Sequence, residues 1–207
     1  MTARGNGSLE VLVPRGLLGS GLNFVGIPVS SEGLVAARIG WDKGCINSIE
    51  ALSVVSDSRL KMLLPRFIEP HAHLDKAFSW NKYPNLAGTY KGALDKNLQE
   101  LRKRKIKDVT SRAERALGLA FKNGIRAVRS HIDSFEENVE SLWESLFDLK
   151  SQWKTLIELQ FVALVPLEYW STSEGNSLAQ KISSKDGLLG TAIVPPFDEN
   201  KTYDLIL

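Results

Sequence analysis

Two histidines one residue apart end a short apolar run in Phe67-Ile68-Glu69-Pro70-His71-Ala72-His73-Leu74-Asp75-Lys76. Successive side chains of a β-strand point to opposite faces, so positions i and i+2 share a face. His71 and His73 therefore aim the same way, near enough for both imidazoles to ligate one cation. Neutral imidazole nitrogen suits a borderline divalent metal such as Zn²⁺ or Fe²⁺. With three histidines in 207 residues, accident would yield such a pair at odds of roughly a few per cent. The third histidine lies in Val128-Arg129-Ser130-His131-Ile132-Asp133, where His131 and Asp133 share a face by the same parity.

The segment Phe67 to Lys76 resembles the first barrel strand of the amidohydrolase superfamily, an apolar strand ending in His-x-His. Its longer form, Glu-Pro-His-x-His-Leu-Asp, is similar to the cytosine deaminase branch. Val128 to Asp133 and Leu159-Gln160-Phe161-Val162-Ala163 resemble that branch in the same order. The resemblance implies that His71 and His73 hold a divalent metal, Zn²⁺ or Fe²⁺, with a later histidine and a last-strand aspartate. Such a metal brings the pKa of a bound water near neutrality, and the hydroxide attacks the ring carbon bearing an exocyclic amine. A carboxylate then helps ammonia depart. The function implied is hydrolysis of a non-peptide C–N bond, with a small heterocycle such as a pyrimidine as substrate.

The other residues are read beside that implication. The resemblance makes His131 and Asp133 pocket residues that orient the site, with direct ligation by His131 as a further alternative; read alone, they are a buried His–Asp hydrogen bond holding a strand in register. Asp75 and Lys76 read as a local salt bridge or loop cap, or as catalytic groups. Glu69 shares the face of His71, and if buried it requires a partner. The branch carries Pro-Gln-Glu after its third strand, where the amide reads the pyrimidine edge. Here Pro166-Leu167-Glu168 puts Leu167 and Glu168 at those substrate positions. Leucine cannot make the amide's hydrogen bonds, so another amino-substituted heterocycle, such as an aminotriazine, stands as the alternative to cytosine.

Two stretches of different character must position these groups. Residues 1–65 show short strands at Leu9–Val13, Leu34–Ile39 and Cys45–Ile49, separated by turn signals such as Asp42-Lys43-Gly44. This predicts a small β-sandwich segment. Residues 66–207 alternate strands with amphipathic helices, the pattern of βα units on a parallel sheet. The expected strands are Met62–His73 (interrupted by Pro65), Ile125–Asp133, Ile157–Val165 and Leu188–Val194, the last stopped by Pro195-Pro196 before a terminal Leu205-Ile206-Leu207. The expected helices are Ala93–Arg104, one from Asp108 capped by Asp108 or Thr110, Asn138–Trp153, and a short one near Leu178–Ile182. The loop Asp75–Thr89 carries Phe78, Trp80 and Tyr83, which either shape a pocket or anchor the loop. The fold class is thus α/β: about four βα units, the N-terminal part of a (β/α)8 barrel that needs about 250 residues when complete.

No histidine follows His131, so the later ligand is expected outside these 207 residues, and this chain alone is expected not to turn over. An open parallel edge invites pairing, so the expected partners are a second copy or a complementing C-terminal half. A non-catalytic truncated remnant is the reading from another class. A net charge of +2 gives no footprint for nucleic acid or an anionic membrane. The basic run Arg102-Lys103-Arg104-Lys105 reads as a solvated face. Nothing approaches the ~20 apolar residues of a membrane span. Cys45 is the single cysteine, which excludes an intrachain disulfide and fits a reducing, cytoplasmic setting.

Overall fold

A computed structural model describes residues 5–19, 26–53, 60–135, 138–193 and 200. The chain divides into two compact units, Met1–Pro65 and Arg66–Leu207.

In the first unit, β1 (Gly7–Pro14), β2 (Leu34–Asp42) and β3 (Cys45–Ala51) form one antiparallel sheet in that order. Alternation selects its buried face, where Val11, Val13, Val35, Ala37 and Ile39 make a small core. On the other face Arg38 lies between Glu10 and Glu50, at 2.7 and 3.7 Å. The hairpin between β2 and β3 turns through Lys43 and Gly44, with φ of 50° and 83°. Two left-handed residues in a two-residue loop match the right-handed twist of the flanking strands. Among the described residues this unit has a single sheet, where the pattern of short strands predicts the two layers of a sandwich. Met62 also belongs here rather than to the barrel strand. It bridges Leu12, and the Leu63 N–H donates to the Leu12 carbonyl at 2.8 Å.

The second unit runs β4 (Phe67–Ala72), α1 (Tyr90–Leu101), α2 (Ile106–Lys122), β5 (Ile125–Asp133), α3 (Val139–Trp153), β6 (Glu158–Val165), α4 (Ser173–Ser183) and β7 (Leu188–Thr191). The four strands are parallel and lie in sequence order. Parallel neighbours require a crossover, and the helices supply it. One parity of the two central strands is apolar and covered: Val128 and Ile132 of β5 and Leu159, Phe161, Ala163 and Val165 of β6 pack with the helices. The α2 stripe Val109, Ala113, Leu117 meets them at spacing four, and α3 adds Leu142, Trp143, Leu146 and Leu149. The opposite parity of β5 carries Arg129, His131 and Asp133, and there the Arg129 guanidinium donates to the Gln160 side chain of β6. Sheet parity thus separates a covered face from a polar one.

Several boundaries differ from the predicted ones for local reasons. The Thr89 hydroxyl accepts from the Gly92 N–H at 3.1 Å and starts α1 three residues before Ala93. This helix ends at Leu101, short of Arg104. Helix α2 begins at Ile106, so neither Asp108 nor Thr110 caps it; the Thr110 hydroxyl bonds back to the Ile106 carbonyl at 3.1 Å. Gly124, at φ 81°, follows the end of α2 as a left-handed residue, as its position predicts. Helix α4 starts at Ser173 because Thr172 caps it through the Gly175 N–H, at 3.0 Å. Strand β4 stops at Ala72, which leaves His73 just past its end. Strand β7 ends at Thr191; Val194, Pro195-Pro196 and Leu205-Ile206-Leu207 lie outside the described residues. Among the described residues, no helix is long and apolar enough to cross a membrane.

Leu117 is fully buried between α2 and the covered sheet face. Leu117→Ala is expected to lower unfolding stability by about 2–5 kcal/mol, from lost transfer free energy and a residual cavity. Urea unfolding followed by tryptophan fluorescence checks this, since Trp143 sits in the same core. An unchanged midpoint would remove Leu117 from that core.

Candidate functional site

His71 is the last residue but one of β4, and His73 lies just past the strand's end at Ala72. Their ring centroids lie 5.2 Å apart with the planes at 70°. Two imidazoles sharing one tetrahedral Zn²⁺ at a Zn–N distance of ~2.0–2.1 Å have centroids about 5 Å apart. The pair therefore has the separation that a shared cation requires. His73 Nδ1 lies 3.0 Å from the His131 carbonyl oxygen, which can only accept, so Nδ1 carries the proton. That leaves the Nε2 lone pair free for a metal, with the backbone carbonyl fixing ring and tautomer. The His71 N–H donates to Glu69 Oε1 at 3.0 Å. Glu69 is exposed, so it needs no buried partner.

The His131 ring stacks on His71 at 4.1 Å and 21°, and lies 5.9 Å from His73. Nearly parallel stacked rings do not converge their lone pairs on one point, so His131 supports the His71 ring rather than completing a ligand set. Its Nδ1 is buried without a hydrogen-bond partner. Among the described residues, no group of three His, Cys, Asp or Glu side chains is arranged to hold a metal ion. The site is a two-imidazole one, and further donors must complete a coordination sphere.

Burial holds the His73 imidazole below its usual pKa, and the nearby Lys76 ammonium adds to this against the opposing His131 carbonyl. Burial also lowers His131, reinforced by His71 and His73. Both rings are therefore neutral at neutral pH, the form in which histidine binds metal.

Beyond His73 the chain makes a single 3-10 turn, Leu74–Lys76, fastened from several sides. The buried Ser130 hydroxyl accepts from the Leu74 N–H at 2.9 Å. Asp75 is fully buried; its Oδ2 accepts from Arg104 Nη1 at 2.9 Å and from the Asp133 N–H at 3.2 Å. The Asp75 carbonyl accepts from Arg112 Nη2 at 2.7 Å. Both arginines also hold Glu100, each with a contact at 2.6 Å. Lys76 reaches Asp133 Oδ2 at 2.8 Å, and Asn97 of α1 donates to the same oxygen at 3.0 Å. Burial raises the Asp75 carboxyl, with Arg104 and Lys76 pulling the other way. Burial also acts to raise Asp133, but Lys76, Asn97 and Arg104 outweigh it and hold that carboxyl below the usual range.

These contacts correct three readings. Asp75 and Lys76 form long-range ion pairs, not local ones. The Arg104 side chain is only 6% exposed, so it leaves the solvated basic face assigned to residues 102–105. Asp133 does not bond His131, because Lys76 and Asn97 occupy it. The structure thus brings the three histidines together and directs Asp133 to Lys76. Leu167 is buried and Glu168 exposed in the turn Leu167–Ser171 after β6. In the loop before α1, the Arg115 guanidinium lies 4.2 Å above the Phe78 ring and ties it to α2, an anchoring contact. Glu100, Arg104, Arg112, Asn97 and Ser130 are the residues missed in the sequence. The one clue was Glu100 four residues before Arg104.

No protein-family model matches the chain. It is 32% identical over 179 residues to a pterin deaminase from Rhizobium rhizogenes, covering 82% of this chain and 41% of that protein. A 5-methylcytosine deaminase from Klebsiella pneumoniae, liganded with phosphonocytosine, matches with a TM-score of 0.59 and 21% identity, over 86% of this chain and 42% of that one. An N-isopropylammelide isopropylaminohydrolase from Burkholderia multivorans gives a TM-score of 0.53 and 18% identity, over 87% and 44%. At such identities the structural likenesses show the fold. The chain spans less than half the length of each of these relatives.

The lowered imidazoles set a pH dependence. Their folded pKa values lie below 6.5, so as pH falls through 6.5 the unfolded chain takes up protons first and stability declines. Asp75, raised by burial, acts in the opposite sense as pH falls through its raised folded-state pKa. The comparison with His131→Gln isolates one imidazole: wild type should lose more unfolding free energy than the variant between pH 7 and pH 5. Urea titrations at both pH values check this, and equal losses would refute the His131 contribution.

Proposed function

From the premise that this chain belongs to the amidohydrolase superfamily, among its deaminase-like members, we propose that it supplies the first-strand metal ligands of a hydrolytic deaminase acting on an amino-substituted heterocycle. The observation that carries the reading is the His71–His73 pair, spaced 5.2 Å apart with His73 held in one tautomer by the His131 carbonyl. His71 and His73 would hold a divalent cation, Zn²⁺ or Fe²⁺, through ring nitrogens. When bound, the cation supplies Lewis acidity that makes water a nucleophile near neutral pH.

The residues of this chain prepare the ligands. His131 stacks on His71 and restricts its ring. The Leu74–Lys76 turn, pinned to Ser130, Arg104 and Arg112, fixes the backbone next to His73. The lowered pKa of His73 keeps its Nε2 lone pair available at neutral pH. The acid–base group that moves the proton to departing ammonia is not among the residues assigned here.

Substrate class follows from the relatives' names and from Leu167. The pterin deaminase and the 5-methylcytosine deaminase are named for amino-bearing heterocycles, and the third relative for an N-alkylated aminotriazine derivative. Leu167 offers no amide to a pyrimidine edge, so a pterin or an aminotriazine stands ahead of cytosine. Among the described residues, strands β4 and β7 are the sheet's two edges, with Phe67, Ile68, Leu188 and Leu189 exposed. A continuation of the barrel or a second copy would cover them, and the reading goes with a cytoplasmic setting. A non-catalytic remnant is the reading that the following experiment would leave standing.

Residues 1–207 are tested alone and completed with the part of the pterin deaminase that they do not match. Alone, they should release no ammonia from pterin, cytosine or an aminotriazine with added Zn²⁺ or Fe²⁺. The completed protein should release ammonia from at least one of the three and contain stoichiometric metal by elemental analysis. His71→Ala and His73→Ala should each remove both. A folded, completed protein whose metal content ignores both substitutions would overturn the assignment.

A further inference from the structure

Asp75 has no access to solvent, yet it carries a carboxylate two residues beyond His73. Few positions are less favourable for a charge, because desolvation is costly unless matched by partners. The partners come from three elements. Arg104 follows α1, Arg112 lies in α2, and the Asp133 N–H belongs to the end of β5. Arg104 and Arg112 are themselves joined by Glu100, whose two oxygens they share. The Asp75 side chain and its carbonyl are therefore gripped from different directions, which fixes the rotation of the turn. His73 lies between this grip and a second anchor, where Ser130 holds the Leu74 N–H and the His131 carbonyl holds Nδ1. Rotating the turn would swing the His73 ring off that carbonyl and release its tautomer.

We propose that Asp75 is a positioning residue for the metal pair: clamped by the Glu100–Arg104–Arg112 network, it sets the turn that keeps His73 Nδ1 on the His131 carbonyl and Nε2 aimed beside His71. The role is one of aim, not of ligation, because Asp75 Oδ2 faces Arg104 and the end of β5. The proposal deepens the metal-pair reading and rests on it for its consequence, but its first effect is visible without metal.

The test uses the full chain labelled with ¹⁵N-histidine. In the metal-free wild type, His73 should appear as a single Nδ1–H tautomer with a slowly exchanging ring proton. Asp75→Asn keeps the shape and removes the charge. It should mix the His73 tautomers and speed exchange of that proton, with Co²⁺ affinity weakened by about tenfold or more, as for other groups that orient a metal ligand. Arg104→Lys, which keeps the charge but loses the fork, should shift the same His73 signals in the same direction. It decides the matter if Asp75→Asn does not fold. Leu149→Ala, a core cavity in α3 that touches none of the Asp75, Glu100, Arg104 and Arg112 hydrogen bonds, should lower the melting temperature while leaving the His73 tautomer and Co²⁺ affinity unchanged. The proposal is overturned if the folded Asp75→Asn or Arg104→Lys protein keeps the wild-type His73 signals. It is equally overturned if Leu149→Ala disturbs those signals as much. A wild type that shows the fixed tautomer but binds no Co²⁺ would instead overturn the metal reading and leave the positioning role supported.

Discussion

A carboxylate at zero exposure must be answered, and the surroundings of the histidine pair depend on how Asp75 is answered. Its immediate partner is Arg104, itself nearly buried, and Arg104 in turn requires Glu100. Glu100 brings in Arg112 from the second helix, and Arg112 returns to the Asp75 carbonyl. The ring of contacts returns to Asp75 and fixes where the elbow between α1 and α2 can lie, although Asp75 Oδ1 and Arg112 Nε are buried within it without a hydrogen-bond partner. Lys76 and Asp133 add a fourth ion pair beside it, so three carboxylates meet three cations. That balance matters because an unmatched charge in such a place would cost several kcal/mol.

Such a network is a poor way to gain stability. Apolar residues of similar volume often serve as well or better, whereas deleting one partner strands another. Its physical merit is directional, since a guanidinium fork fixes angles that an apolar contact leaves loose. Stability of the unit comes from the covered sheet face, where α2, α3 and α4 bury Leu117, Trp143, Phe161 and Ile182. The two kinds of interaction divide by sheet parity. Val128 and Ile132 of β5 feed the apolar core, while Arg129, His131 and Asp133 lie on the opposite parity. Between the two core residues Ser130 is a buried hydroxyl on the apolar side whose use is to hold the Leu74 N–H.

Local periodicity made much of this legible. The alternation of β1, the α2 stripe and the apolar β6 are properties of neighbours in sequence, and they appear where the pattern puts them. The i, i+2 argument for His71 and His73 is local in the same sense, and their rings are close. What was not legible arises between distant residues. Arg104 stands in a run of four basic residues, and nothing in that run tells which one turns inward to a carboxylate 29 positions earlier. The Thr89 and Thr172 caps were missed although each precedes a glycine at the third position, because glycine within a first turn argues against a helix on propensity alone. Met62 was drawn into the barrel strand by apolar character that pairs with β1 instead.

The contrast between His73 and His131 shows why composition alone could not sort the three histidines. Both are partly desolvated and neutral, so pKa does not separate them. Orientation does. The His73 ring spends its proton on a carbonyl and keeps a lone pair for a cation, while the His131 ring lies flat against His71 with Nδ1 unpaired. The backbone carbonyl of His131 thus orients the His73 ring while its own ring restricts His71. One residue of β5 thereby constrains both rings of the pair, and that is sufficient reason for the strand to carry its histidine beside them.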